Sequence, residues 1–431
     1  MNEDNVSRAL RDIDRQRRIE REKRRRQIKR QLTVVIIIMI VFFSLAGAAG
    51  YILFIKPAIE KGRTEKEAAV QTEEYQSIGE RVSEDAAEPD SDKTGTVTDA
   101  SVYADESEQT VVDMASEEAA APEVRDFDIE MTFIGDCCMA SDLENRSEGS
   151  MLWSEENLPS TYFFEKVNQH FMDDDLTVAN CENVFSDSQG ILRDKGEDGG
   201  FWFKSPARYA GIFKDGGIDA VSICNNHTLD YGKDALEDTG EALDAAGVDW
   251  GLRDKIIYYE KEGYRIAIVC VAYYNFNEVY DAAAYLKEAE ENSDFQVIYF
   301  HGGKEYEPNP ENWKVSACRY LVDEGADLVI GAHPHCLQRI EEYGGAEIVY
   351  SLGNFCFGGN NYPKTNKTII YKCYLTIHEE DGVQTLSAKR SEIIPCYVYT
   401  GDHNNWQPAP IEDKAEAEQV VAFMNGETET P

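Results

Sequence analysis

Basic residues are scarce in this chain: 42 Lys and Arg stand against 81 Asp and Glu over 431 residues, a formal charge of −39. Nucleic-acid phosphates are bound chiefly through Lys and Arg, so the balance excludes a general nucleic-acid binder. Histidine is scarcer still, with seven residues. The ten cysteines include no C-x-x-C pair and match no zinc ribbon. An even number of cysteines in an exported chain permits disulfides, but Cys224 and Cys270 lie inside apolar runs, where cysteine behaves as a small buried hydrophobe. Mostly free thiols are therefore expected. An apolar content of 42% is slightly low yet allows a sizeable core, in one large domain with appendages or in two average domains. No internal repeat is visible.

Charge is absent altogether between Arg30 and Lys56. Leu32 to Ile55 is a 24-residue apolar run. It is about 36 Å long as a helix, enough to cross a hydrocarbon core of about 30 Å. Ala46-Gly-Ala48-Ala49 resembles a signal-peptide cleavage site. The long run and the long basic leader nevertheless favour an uncleaved anchor. Residues 1–31 form that leader: up to Arg30 it holds 12 basic and 6 acidic side chains and stays cytoplasmic by the positive-inside rule. The main domain is then extracytoplasmic on a single-pass membrane protein. Residues 56–126 have little to build a core with. From 57 on they contain no Trp or Phe and 20 acidic against 6 basic residues, so they read as a disordered acidic stalk.

From Phe127 apolar runs of strand length alternate with amphipathic helical stretches. The strand-like runs are 129–135, 176–180, 218–227, 264–272, 295–303, 326–335 and 346–355. The helical ones include 233–247, ending at Gly247, and 311–324, ending before Gly325. This pattern predicts an α/β domain over 127–403 whose sheets are covered on their faces. Residues 358–400 read as more β-like, and 404–431 as a polar, acidic tail. The portion 127–431 carries a formal charge of −32.

Four of the histidines fall at strand ends. Asp136 closes the first strand, Glu182 follows the second, Asn226-His227 close the third, His301-Gly302-Gly303 another, and His333-Pro334-His335 another. Ligands of open α/β sheets gather at that edge. One strand-end histidine is more often a hydrogen-bonded structural residue. Five such endings in one domain point instead to a shared site. Two carboxylates, an amide and four imidazoles suit divalent transition ions. His170 reads as structural, His378 as solvated, and His403 as a loop residue.

The motifs FIGD ending at Asp136, N-x-E ending at Glu182, NNHTLDYG (225–232), HGGKEY (301–306), GAHPHCLQ (331–338) and YSLGNF (350–355) resemble, in order, the bacterial capsule-synthesis, poly-γ-glutamate-biosynthesis family of CapA type. The resemblance runs from Phe127 to about Gly358. That family is similar in turn to the calcineurin-like metallophosphoesterases. It implies an α/β/β/α sandwich with one or two divalent ions (Mn, Fe or Zn) held by Asp136, Glu182, Asn226, His301, His333 and His335. It also implies His227 as general acid, with Asp230 three residues on to orient it. Where the phosphoesterases have Asp-x-His, this chain has Asp136-Cys137-Cys138. Cys138 is thus either a thiolate ligand or a buried inert thiol, and one metal position is weakened.

Glu305, Tyr306 and Gln338 are candidate substrate contacts. Lys204 and Arg208 are candidate cations beside the cleft. Three functions remain open: a component of an envelope-polymer machine engaging an anionic polymer or its synthase complex, a free-standing extracytoplasmic metallophosphoesterase, and a non-catalytic scaffold. The topology is testable directly. Protease added to wall-stripped cells is expected to cut within residues 57–126 and release the compact domain. Protection of that fragment until the membrane is lysed overturns the orientation.

Overall fold

The run YRIAIVCVA (264–272) shows why this chain makes covered sheets. Ile266, Ile268 and Cys270 point into one apolar layer and Ala267, Val269 and Val271 into another, all buried. A strand apolar at both parities must be packed on both faces. The computed structural model describes residues 124–144, 150–151, 158–196 and 200–431. The leader, the apolar run 32–55 and the stalk up to residue 123 lie outside the described residues. Among the described residues no helix is long and apolar enough to cross a membrane.

In chain order the elements are β1 (Val124–Cys138), β2 (Leu176–Cys181), β3 (Val184–Phe185), β4 (Lys204–Ser205), α1 (Gly211–Gly216), β5 (Ala220–Ser222), α2 (Gly232–Ala246), β6 (Asp249–Gly251), β7 (Ile257–Lys261) and β8 (Tyr264–Ala272). There follow α3 (Val279–Asn292), β9 (Phe295–His301), α4 (Asn312–Asp323), β10 (Leu328–Ala332), β11 (Leu337–Tyr343), β12 (Ala346–Leu352), β13 (Asn354–Phe357), β14 (Lys367–Glu380), β15 (Val383–Tyr397), β16 (Ala409–Pro410) and α5 (Lys414–Met424). One large sheet has the order β16-β15-β14-β1-β2-β5-β6, with β13 also on β1, the other large sheet is β11-β12-β10-β9-β8-β7, and β3 and β4 form a two-stranded third. Three apolar layers fill the spaces. The middle one joins Met131, Ile268, Val297 and Leu375 between the sheets. The second packs Phe213 and Leu243 of α1 and α2 on the outer face of the first sheet. The third packs Leu286 and Leu321 of α3 and α4 on the outer face of the other. The result is the expected helix–sheet–sheet–helix sandwich.

Boundaries differ from the sequence reading in three places. Residues 124–126 belong to β1 rather than to a stalk, paired antiparallel with Glu380, Glu379 and His378. The third strand ends at Ser222, because Thr228 bonds back to the Asn225 N–H and the Ile223 carbonyl and holds Asn225–Thr228 in a turn. The segment 404–431 is not a tail. Asn404, Trp406 and Gln407 are buried, β16 extends β15, and α5 sends Val420, Phe423 and Met424 into the middle layer. Its acidic composition hid a short apolar stripe at 420, 423 and 424. Asp413 caps the helix by accepting from the Glu416 N–H, and Lys367 pairs with Glu416. All ten cysteines are free and buried, as their placing in apolar runs such as those of Cys224 and Cys270 predicts. His378 sits on the outer face of β14, 2.6 Å from Asp126.

Phe423→Ala is expected to lower unfolding free energy by about 3–5 kcal/mol, the range for a buried Phe. Urea denaturation measures it, and an unchanged midpoint would restore the tail reading.

Candidate metal centre

The carboxyl ends of β1, β2, β9 and β10 bring the candidate ligands together. β1 and β2 pair in register up to Phe133–Val178 and again at Asp136–Asn180, so β1 spends one extra residue between them. That bulge re-aims the strand end that carries Asp136. Asp136 accepts from Asn180 Nδ2 at 2.8 Å and from the His333 N–H at 3.1 Å. β9 ends in His301 because Gly302 follows it. A Cβ on Gly302 would lie 1.9 Å from the Tyr273 carbonyl oxygen, so only glycine lets the two chain segments approach. His333 and His335, flanking Pro334, both hold positive φ, 94° and 55°. Non-glycine residues in that region store strain of about 1–3 kcal/mol each.

Glu182 lies at the centre of the cluster. Its side chain is wholly buried and neither carboxylate oxygen has a hydrogen-bond donor. Instead the Nε2 atoms of His227, His301 and His335 stand 3.7 Å from Glu182 Oε1. Those separations are too long for hydrogen bonds and suit ligands sharing an ion. Two sets of donor atoms lie within 4.8 Å of one another: Asp136, Glu182 and His301, and Glu182, His333 and His335. Glu182 belongs to both, the position of a bridging carboxylate. Asn226 Oδ1 is 2.7 Å from His301 Nε2, and His333 Nδ1 is 2.9 Å from that same atom. All six expected ligands therefore converge.

Electrostatics tell the same story. Burial drives the Glu182 carboxyl well above the ordinary range, with Asp136, Glu305 and Asp230 pushing the same way. Burial also pushes His301 well down and His333 down to about 3. For His335 burial acts downward too, but the Glu182 and Asp136 carboxylates outweigh it and hold the ring up at about 10. The pocket thus holds His301 and His333 neutral, keeps His335 charged against the carboxylates, and still leaves Glu182 short of a donor. A divalent ion fits that deficit.

His227 has its Nδ1 2.6 Å from Asp230 Oδ2, so the expected imidazole–carboxylate pair forms. Cys138 is buried, bonds the Ala140 carbonyl through sulfur, and has its thiol pushed far up by burial, which is the inert alternative. Tyr306 adopts φ 58° and faces His335 at a ring distance of 5.9 Å, and Glu305 is exposed at the rim. Gln338 is an internal brace: it accepts from Lys314 at 2.7 Å and donates to the Glu307 carbonyl at 2.6 Å. Lys204 and Arg208 make contacts away from the cluster. Lys204 reaches the Ser188 and Gln189 carbonyls and the Tyr231 ring, and Arg208 covers the Tyr209 ring. Sequence reading missed the groups that orient the ligands. Asn180 approaches His301 Nδ1 at 3.2 Å, and Asn354 lies 2.8 Å from His335 Nδ1. Phe203 lies against His227 with its ring tilted by 36°, Tyr274 meets the His333 ring edge-on, and Lys195 stands beside Asp230. The two asparagines sit inside motifs already singled out; the rest carried no signal.

Fold and cluster together define an α/β sandwich protein with a candidate divalent-metal centre at its strand ends. Within that class the chain belongs to the bacterial capsule synthesis protein family PGA_cap, whose model matches residues 130–359. It is 29% identical over 328 residues to the PGA biosynthesis protein CapA of Bacillus subtilis strain 168, covering 70% of this chain and 80% of that one. It is 24% identical over 301 residues to the capsule biosynthesis protein CapA of Bacillus anthracis, covering 62% and 67%. The crystal structure of the calcineurin-like phosphoesterase YfkN from Bacillus subtilis overlays with a TM-score of 0.37 at 13% identity, over 65% of this chain and 95% of that one. An agreement that low carries no argument about chemistry.

A titration of the chain with Mn²⁺ or Zn²⁺ is expected to add about 2.7 kcal/mol of stability at a hundredfold excess over Kd. Glu182→Gln should lose that gain yet stay within about 1 kcal/mol of wild type without metal, since no hydrogen bond of the fold ends on this side chain. Thermal melts with and without metal measure both, and a wild-type gain in the variant would place the centre elsewhere.

Proposed function

We propose that the protein is a membrane-anchored, extracytoplasmic component of capsule or poly-γ-glutamate-type polymer biosynthesis that works through a metal-dependent, hydrolase-like site. The observation that carries the reading is Glu182, buried without a donor and ringed by imidazoles at 3.7 Å. Family membership and the names of the two CapA relatives support the polymer context. The apolar run 32–55 behind a basic leader supports the anchor.

In this reading Asp136, Glu182, Asn226, His301, His333 and His335 hold one or two divalent ions. A divalent ion there supplies Lewis acidity at a phosphoryl or acyl centre. His227 gives a proton to the leaving group from Nε2 while Asp230 holds Nδ1. Tyr306 and Glu305 contact the substrate from the rim. The partner is an anionic envelope polymer or its synthase complex. A domain of formal charge −32 repels a polyanion at long range, so engagement depends on local cations at the site.

His227→Gln should retain metal and lower activity by roughly 100- to 10,000-fold, the range for a general acid. Hydrolysis of a phosphodiester and surface polymer from the producing host are the two measurements. Wild-type polymer from a well-expressed His227→Gln strain overturns the enzyme reading and leaves the scaffold. Diester hydrolysis without any effect on polymer favours a free-standing phosphoesterase.

A further inference from the structure

One cation in this acidic domain is committed to the proton-handling pair. Lys195 Nζ lies 2.6 Å from Asp230 Oδ1 and 3.4 Å from His227 Nδ1, with the lysine side chain 16% exposed and the aspartate fully buried. The ammonium also donates to the Phe201 carbonyl and stands over the Trp202 ring at 5.4 Å. The backbone delivers it there. The Ile191 N–H donates to the Tyr231 carbonyl and the Arg193 N–H to the Asp230 carbonyl, each at 2.9 Å. The Arg193 guanidinium reaches the Asn226 carbonyl at 3.2 Å. The segment carrying Lys195 is thus laced along the turn that carries His227.

Asp230 is held from two sides. Its Oδ2 accepts from the Phe203 N–H at 3.1 Å and faces His227 Nδ1, while its Oδ1 faces Lys195. The geometry points to Lys195 as a positioning residue for the proton-transfer step: it locks the Asp230 carboxylate, which holds the Nδ1–H of His227, so that Nε2, the atom that passes its proton on, stays turned toward the substrate. This rests on the reading of His227 as the proton-handling group. A buried carboxylate needs a counter-charge and fixed donors to hold one orientation. With Lys195 removed, Asp230 keeps only the Phe203 N–H as an anchor besides the imidazole it is meant to orient. The Asp230–Nδ1 contact is then no longer held in one orientation, and the ring with its Nε2 turns out of line with the substrate. The lysine acts through the aspartate and the histidine and does not itself touch the reacting atoms.

The test uses the full-length chain in detergent, with ¹⁵N-labelled histidine. The His227 signals are assigned by their loss in His227→Gln. Wild type is expected to show one His227 Nδ1–H signal held in a strong hydrogen bond, and Lys195→Met a weakened or averaged one. With bis(p-nitrophenyl) phosphate as probe, Lys195→Met should lower kcat about tenfold, as for groups that orient a functional histidine, with KM and metal content unchanged. Lys195→Arg should restore the Nδ1–H signal and most of kcat. In an Asp230→Asn background Lys195→Met should have no further effect, since both act through one carboxylate. Should Lys195→Met not fold, Lys195→Gln, which keeps a polar contact without the charge, is read in the same way. Wild-type His227 shifts in the charge-removing variant overturn the assignment, as does equal loss in Lys195→Arg. If no protein hydrolyses the diester, the functional proposal fails on its own, and the imidazole shifts still decide the role of Lys195.

Discussion

The architecture of the site depends on a carboxylate that the fold leaves unpaid. Glu182 is wholly buried, and no N–H or O–H donates to either of its oxygens. Burying such a group without a partner costs several kcal/mol, so its position is stable only if the surrounding structure over-determines it. That surrounding is β2, all six of whose residues are buried, held between β1 and β5 in a parallel register. The carboxylate is held at a candidate metal centre by strands that gain nothing from it.

The same division recurs in the backbone. The β1 bulge before Asp136, the positive φ of His333 and His335, and the close approach at Gly302 all disturb regular strand geometry. All of them fall at strand ends that carry candidate ligands. The strands behind these ends are regular and packed on both faces by the three apolar layers. Strain at the rim is sustained by packing in the interior, the usual arrangement for a site that must be preorganised. The α5 helix contributes to that packing from the end of the chain, which is why Phe423 belongs to the middle layer although its neighbours in sequence are acidic.

Charge placement explains why composition alone misleads here. With so many carboxylates, the cations that matter are those the fold brings inside. Lys314 is fully buried under Gln338, its ammonium pushed down to about 8 by burial, and Lys195 is pinned to Asp230. Both brace loops that carry site residues. Lys204 and Arg208 read from the sequence as cations beside the cleft of an acidic domain, yet each is engaged by a nearby ring. An exposed-looking lysine in a loop has no signature that tells a brace from a binding group.

Local pattern by itself determined the α/β class, the helical stretches that the structure places at 232–246 and 312–323, the free thiols, and the gathering of carboxylates, amide and imidazoles at strand ends, with the His227–Asp230 pair among them. These follow from side-chain period and from residue types at strand ends, both of which are written over a few consecutive positions. Gly247, at φ 72°, ends its helix as such a glycine should. Tertiary structure decided the rest. The chain order of motifs cannot tell that Asn180 meets His301 across 121 positions, or that Asn354 meets His335 in place of a β-strand neighbour. Nor can composition tell that an acidic C-terminal segment closes the space between two sheets. Such contacts join residues far apart in sequence, and only the packing of one sheet on the other brings them within hydrogen-bonding distance.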